Sequence, residues 1–448
     1  MRDSPRVLYV VDDGWRPEKQ RAIQALLDAG ADVRLATHVP ASQAALQALF
    51  GEVQLLEIQD PPAWRHYPAM FFARELDTVI VQNLNRERAR RATVPRRMLN
   101  GVRAACARLG MRRHRYSTVR RRLYRGSRQH AALLADTDVL LFVPVAIRDQ
   151  RILHEADERG VAVLAWVYSW DNPMKDNDFF LYARSYGVWN AENRKDLETL
   201  HGIPPEKVAV IGPNQFDVLI SQTAGLRREL REPPTVLYIC CTGRDHLVVQ
   251  EEDFILWIRE VMDQVCPAAR LLVRPYPFRD LLAGYARLEA APGIEVAHFG
   301  EEKDGILQID AEEDARRLAQ MAAAACMINL GSTMGLEGAF TGTPMLQFTD
   351  VPEFPRVAGR PYLYPLRHAL KNEHLRYMLT GDFPSFVRDT DSLSRGLRDI
   401  LLEGKETDYL EYSRHLRRFA DPMPGKGPYM ECFVDWVISA GQGRENRE

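Results

Sequence analysis

The chain has few cysteines, and none of them stand in an arrangement that carries chemistry. Six are scattered over 448 residues, only Cys240 and Cys241 are adjacent, and no CxxC or Cys/His ligand spacing occurs. This argues against a disulfide framework or a zinc ribbon, and predicts reduced, mostly buried thiols in a cytoplasmic protein. No apolar run approaches the roughly 18–20 residues that a membrane span needs. The first six residues lead straight into an apolar strand at 7–11 without a signal-like segment, so the expectation is a soluble chain, at most peripheral to a membrane. There is no internal repeat of solenoid period and no low-complexity tract. The loop after the first strand lacks GxGxxG, which leaves a dehydrogenase-type dinucleotide site without support.

What is present is an uneven charge. The net charge is −2, yet residues 86–128 hold 16 Arg, no Lys and a single acid, Glu87. Two amphipathic patterns run through this stretch, Met98, Val102, Cys106 and Leu109 on one face, then Val119, Leu123, Gly126, His130 and Leu134 on another. Basic amphipathic helices suit an anionic lipid surface, here the inner face of the cytoplasmic membrane. Nucleic acid would also attract arginine, but no recognition module surrounds the patch and the rest of the chain is acidic, so no nucleic-acid partner is expected. A merely solvated helical hairpin remains the third reading.

Length and pattern predict two α/β domains. The first begins β-α-β, with strands at 7–11 and 32–38 around a helix at 18–27, and continues with strands at 53–58, 78–82, 138–145, 161–168, 186–190 and 207–212. After a linker at 227–234 the alternation restarts, with strands at 235–241, 270–273, 294–299, 326–330 and 343–348. The predicted organisation is an N-terminal domain at 1–215 with an arginine-rich insertion at 85–135, a C-terminal domain at 216–414, and a crossover helix with tail at 415–448. Parallel sheets gather ligands beyond the carboxyl ends of their strands, which directs attention to the loops there.

The chain is organised around one such loop. Gly331-Ser332-Thr333 follows a buried strand and opens a helix, expected at 334–341 and stopped by Gly342. Ser332 is a natural N-cap, glycines 331 and 335 would let a ligand approach the backbone, and a helix start suits a phosphate. Glu337 lies one turn beyond Thr333, within reach of a sugar diol beside that phosphate. In the first half, Asp12 and Asp13 end the first strand; two adjacent carboxylates point apart, which argues against a shared metal. Trp170, Asp171 and Asn172 end another strand, and Asn214 and Asp217 follow the last strand before the linker. His38 and His246 are lone histidines at strand ends and are read as structural.

Several of these stretches together resemble the GT-B glycosyltransferases. They are Ser169-Trp170-Asp171-Asn172, Val188-Trp189-Asn190-Ala191-Glu192-Asn193, the run from Val210 to Asp217, Arg274-Pro275-Tyr276-Pro277, Gly331-Ser332-Thr333 with Glu337, and Gly425-Lys426 before a final helix. Their order over about 160–440 resembles bacterial surface-carbohydrate and teichoic-acid-type transferases, which are related to UDP-N-acetylglucosamine 2-epimerases. The resemblance implies two Rossmann-like domains facing across a cleft, with the C-terminal helix packing back on the first domain. It implies a nucleotide-sugar donor held by the second domain through Gly331, Ser332, Thr333 and Glu337, with Arg274, Tyr276 and Arg244 nearby. It implies an acceptor on the first domain, with Asp12, Trp170, Asn172, Asn214 and Asp217 on the acceptor side or at the hinge; taken with the basic amphipathic insertion, the expected acceptor is a lipid-linked glycan.

The mechanism expected is metal-free transfer without a cofactor, the leaving group's charge being met by the helix start and Arg274. Asp171, preferred, or Asp13 would serve as the base for the attacking hydroxyl. This chain departs from the family at Tyr276-Pro277, where the teichoic-acid and capsule enzymes usually carry His-Pro, and that weakens polyol-phosphate transfer. It departs from the epimerases after the first strand, where an arginine-centred loop is expected and Asp12-Asp13-Gly14-Trp15 stands. Sugar-nucleotide epimerisation or hydrolysis is therefore the alternative enzyme reading, and nucleic-acid binding through 86–128 the non-enzymatic one.

Overall fold

In the computed structural model the described residues are 4–58 and 121–443, apart from positions 15, 123, 145, 176–179, 227, 231, 242–244, 276–284, 298–300, 304–305, 309–310, 355–365, 367–369 and 371–372. The strand expected at 78–82, most of the arginine-rich insertion, and Arg244 and Tyr276 lie outside them. Contacts divide the chain into two compact units, 1–217 with 421–448, and 218–420.

The first unit holds β1 (Arg6–Val10), α1 (Pro17–Asp28), β2 (Asp32–Thr37), α2 (Pro40–Phe50), β3 (Val53–Leu55), β4 (Val139–Phe142), α3 (Arg151–Glu158), β5 (Ala162–Trp166), β6 (Ser185–Val188), α4 (Ala191–His201) and β7 (Val208–Val210). Every pairing is parallel, and the order is β3-β2-β1-β4-β5-β6-β7. Runs such as Val139-Leu140-Leu141-Phe142 are apolar without alternation because helices cover both faces of the sheet. The order reverses between β1 and β4, where loops from adjacent strands diverge and leave a crevice for ligands.

The second unit holds β8 (Thr235–Ile239), α5 (Asp245–Val265), β9 (Arg270–Arg274), β10 (Ile294–Val296), a short antiparallel hairpin β11 (Glu301–Lys303) and β12 (Ile306–Gln308), α6 (Ala311–Ala323), β13 (Cys326–Asn329), α7 (Thr333–Gly338), β14 (Met345–Phe348), β15 (Phe386–Val387), α8 (Thr390–Leu401) and α9 (Glu406–Ala420). Its sheet is again parallel, in the order β10-β9-β8-β13-β14-β15. Gly342, at φ +69°, ends the turn that leads into β14, and Pro344 stands just before the strand, where its missing N–H costs no ladder bond.

The final helix α10 (Tyr429–Gly441) returns to the first unit. Phe433, Val434, Trp436 and Val437 join the core formed by β1, β4 and β5, with the Phe433 ring 4.7 Å from that of Trp166. Trp436 donates its indole N–H to Ser185 Oγ at 2.9 Å. Glycine at 187 is required here, since a Cβ would fall 3.0 Å from the Trp436 ring and 2.6 Å from Ile211.

Candidate functional site

The turn after β13 is built around Asn329, a residue that the sequence pattern does not single out. Asn329, the last residue of β13, accepts hydrogen bonds on Oδ1 from the Gly331 amide (3.1 Å), the Ser332 amide (3.1 Å) and the Ser332 hydroxyl (3.2 Å). Its Nδ2 donates to Gln347 Oε1 at 2.8 Å, and Gln347 is in turn held by the Tyr412 hydroxyl. Ser332 does occupy the N-cap position of α7, but its side chain serves Asn329 and makes no bond to the helix. The glycines also have a different purpose from the one expected. Gly331 sits at φ +123° with Leu375 where a Cβ would be, and Gly335 leaves room for Asn329 itself, whose side-chain amide fills the place of a Cβ. The close approach is made by the protein's own side chains.

Two of the expected donor-side residues are drawn together by α6. Glu337 pairs with Arg317, and Arg274 donates to Gln320 Oε1 at 2.7 Å. Arg317 and Gln320 are three positions apart, so they lie on one face of the helix. Arg274 is only 2% exposed, at the carboxyl end of β9, and Glu337 lies on α7. A cation from the sheet edge and a carboxylate from the helix after the turn therefore meet the same helix face. Sequence spacing gives no hint of Arg317 or Gln320, because α6 precedes the strand and its facing residues depend on how the helix lies across the sheet.

In the first unit the two aspartates after β1 part company. Asp12 turns inward and accepts from the Thr37 hydroxyl (3.0 Å), the His38 amide (2.6 Å), the Arg148 amide (2.7 Å) and the His38 ring at Nδ1 (2.9 Å). Burial opposes its charge, but the His38 ring and these amides outweigh it and hold the carboxyl below its ordinary range. Asp12 thus ties β1 to β2, and the cleft-facing role expected of it is not what its side chain does. Asp13 lies 3.4 Å from Arg16 through Oδ2, while its buried Oδ1 has no hydrogen-bond partner.

Around Asp13 sits a charged cluster that includes Arg16, Glu18, Lys19 and Tyr168. Tyr168, two residues past β5, donates its hydroxyl to Glu18 at 2.6 Å and so fastens the loop after β5 to the start of α1. Lys19 is fully buried with Nζ 3.4 Å from the Tyr168 ring centre and 3.9 Å from that of Trp166, and Nζ has no hydrogen-bond partner among the described residues. Burial pushes its pKa down to about 8, against the pull of Asp13 and Glu18. Arg16 also places a guanidinium in the very loop where the epimerase resemblance calls for an arginine, one residue beyond Trp15.

Of the remaining expected residues, Asn172 and Asp217 hold backbone through their side chains. Asp171 is 6% exposed, with Asn172 Nδ2 at 3.4 Å, while Asn172 Oδ1 fastens the turn by accepting from the Ser169 amide at 2.9 Å. Trp170 is buried and its carbonyl accepts from Asn193. Asp217 accepts from the amides of Tyr429 (2.8 Å) and Met430 (2.7 Å) and thereby caps α10, with Asn214 Nδ2 3.7 Å from Met430 Sδ. Burial raises the Asp217 pKa despite those amides. Asn214 and Asp217 therefore seat the returning helix. Among the described residues no group of three or more His, Cys, Asp or Glu is placed to hold a metal ion, and no helix is long and apolar enough to cross a membrane.

No protein-family model matches the chain, and no curated protein matches its sequence. Solved structures do. A protein described as a candidate UDP-N-acetylglucosamine 2-epimerase from Listeria monocytogenes is similar over 99% of this chain and 98% of its own, at 10% identity and a TM-score of 0.50. The S. aureus protein MnaA, in a co-structure with UDP, is similar over 98% of this chain and 97% of its own, at 9% identity and a TM-score of 0.53. A glycosyltransferase of kitacinnamycin covers 98% of this chain and 100% of its own at 15% identity, with a TM-score of 0.46. With its two parallel-sheet units and the last helix returning to the first, the chain has the GT-B fold.

Proposed function

We propose that the protein is a glycosyltransferase that moves a sugar from a nucleotide-sugar donor to an acceptor, a lipid-linked surface glycan. The observation that carries this reading is the convergence of Arg274 and Glu337 on the Arg317–Gln320 face of α6, beside the β13–α7 turn. A nucleotide sugar offers a diphosphate next to a ribose diol, and a buried arginine near a carboxylate matches that pair of groups. Because Asn329 already takes the amides of Gly331 and Ser332, phosphate contact falls further on, at Thr333 and the Met334 amide. UDP in the MnaA co-structure supports a nucleoside diphosphate as the ligand class.

In the proposed reaction the acceptor hydroxyl attacks the anomeric carbon, the bond to the phosphate oxygen breaks, and the nucleotide leaves with the electron pair. Arg274 and Arg317 meet the charge on the leaving group without a metal. Of the two carboxylates considered as base, Asp13 suits the role better, since its side chain is 13% exposed and its Oδ1 has an acceptor position unfilled, while Asp171 is 6% exposed. The acceptor's lipid character and docking at the cytoplasmic membrane face rest on the charge of residues 86–128, most of which lie outside the described part.

The test is transfer from radiolabelled nucleotide sugars to membrane acceptors. Wild type should transfer, and Asp13→Asn should lower the rate by at least about 100-fold, the scale of a lost general base, with donor binding retained. Transfer that survives Asp13→Asn would remove the base assignment. A sugar-nucleotide epimerase is the second reading, favoured by Arg16 in the β1–α1 loop and by the two neighbours named first. It predicts turnover of free nucleotide sugar with no acceptor present.

A further inference from the structure

The first sheet has a second feature at the opposite edge from Asp13. The C-terminus of α3 leads into β5 and the loop at 180–184 leads into β6, so both lie at the amino ends of the strands. A cavity of about 680 Å³ opens here, lined by Arg121, Arg122, Arg125, Gly126, Glu158 and Tyr182. Its walls are fastened to α3. Gly126 donates its amide to Glu158 Oε2 at 2.9 Å, and the Ser127 hydroxyl and His130 amide donate to Glu155 at 2.5 and 2.8 Å. Tyr124 is buried edge-on to His154, with ring centres 5.5 Å apart. The Arg121 guanidinium is held 2.8 Å from Asp157, with its central carbon 4.2 Å from the Tyr182 ring centre.

Arg122 and Arg125 are exposed, and among the described residues neither has an ion-pair partner. With Arg121 paired to Asp157, the cavity sets the guanidinium groups of Arg122 and Arg125 against one lining carboxylate, Glu158. Its volume lies within the range of small-ligand sites and exceeds what a bare ion needs. Guanidinium groups match phosphate oxygens two at a time, and neighbouring ones strengthen the field each offers an anion.

We propose that this cavity binds a phosphomonoester or diphosphate group, at a site separate from the sugar-transfer chemistry; only its lipid source shares ground with the membrane docking read from residues 86–128. The group could reach it on a lipid headgroup or on a soluble molecule, so the experiment has two arms. Calorimetric titration with inorganic pyrophosphate examines the soluble source. Co-sedimentation with phosphatidic acid vesicles, against vesicles of phosphatidylcholine alone, examines the lipid source. Binding in either arm is expected for the wild-type chain, weakened at least about tenfold, or about 1.4 kcal/mol, by Arg122→Glu with Arg125→Glu. Both side chains are exposed, so the fold should survive, and Tyr182→Ala provides an independent variant expected to weaken the same arm.

Replacing both arginines by lysine should lower affinity less, because charge persists and the bidentate geometry does not. No binding in either arm, or equal binding by the double Glu variant, overturns the proposal. So does binding of a single-stranded oligonucleotide that outcompetes pyrophosphate and ignores Tyr182→Ala. The part of any nucleotide-induced rise in melting temperature that is lost in Glu337→Gln should persist in the double Glu variant, so failure here and failure of the sugar-nucleotide reading are read separately.

Discussion

A lysine ammonium packed between Tyr168 and Trp166 has given up its water and received no hydrogen bond in return. The fall of its pKa from 10.5 to about 8 corresponds to a cost on the order of 3 kcal/mol for the charged form at neutral pH. The unfolded lysine holds its proton up to about 10.5, so between about 8 and 10.5 the unfolded state binds more protons and stability rises with pH. Below 8 both states are protonated and the full cost is present. Lys19→Met should therefore be more stable than wild type by roughly 1–3 kcal/mol at pH 7, and the difference should shrink towards pH 10. Urea unfolding of both proteins at pH 7 and 9.5 checks this; an unchanging difference would mean that the lysine is not buried as described. The sequence carries a sign of it, since Lys19 shares a helical face with Ala22, Ile23 and Leu26. Its aromatic partners, almost 150 positions away, cannot be read there.

At the scale of elements, the strands of both sheets other than β15 are legible because buried parallel strands are short apolar runs set between glycine-stopped helices, whereas β15 is two residues long and leaves no run to read. The β13–α7 turn is legible as a turn, but its details differ from what its composition suggests. Gly331, Ser332 and Gly335 have the composition of a ligand cradle, yet they accommodate Asn329 and Leu375. Composition cannot separate the two, because both require small residues and free amides. Asn329→Leu, close in size, would leave two amides and Gln347 without their partner, a loss of about 2–4 kcal/mol. Gly335→Ala should also destabilise, by roughly 1–3 kcal/mol, since the new methyl meets Asn329 Nδ2. If thermal unfolding shows Gly335→Ala to be neutral, the glycine is there for a ligand after all.

Across the whole molecule the C-terminal helix decides whether the first unit is complete. Its return to the first domain is expected from the family resemblance, and its apolar face, Phe433, Val434, Trp436 and Val437, lies in the core of the first sheet. Glycines 187 and 212 fit around it, with Tyr429 standing where a Gly212 Cβ would be. Trp436→Ala should cost about 3–5 kcal/mol, measured as a lowered midpoint for the first unit's unfolding; a change under about 1 kcal/mol would put the helix outside that core. A GT-B frame accepts many donors, and the choice lies in a few side chains at loop ends.

The proposed sugar-nucleotide site in the second unit would hold a nucleoside diphosphate beside Glu337. A ligand that binds only the folded state raises its melting temperature, so the direct measurement is thermal unfolding with UDP, GDP, ADP, TDP and CDP, each at millimolar concentration. One of them should raise the melting temperature of wild type, and Glu337→Gln should bind that nucleotide at least about tenfold more weakly, a difference of about 1.4 kcal/mol. No rise with any of the five, or an equal rise in Glu337→Gln, would contradict it.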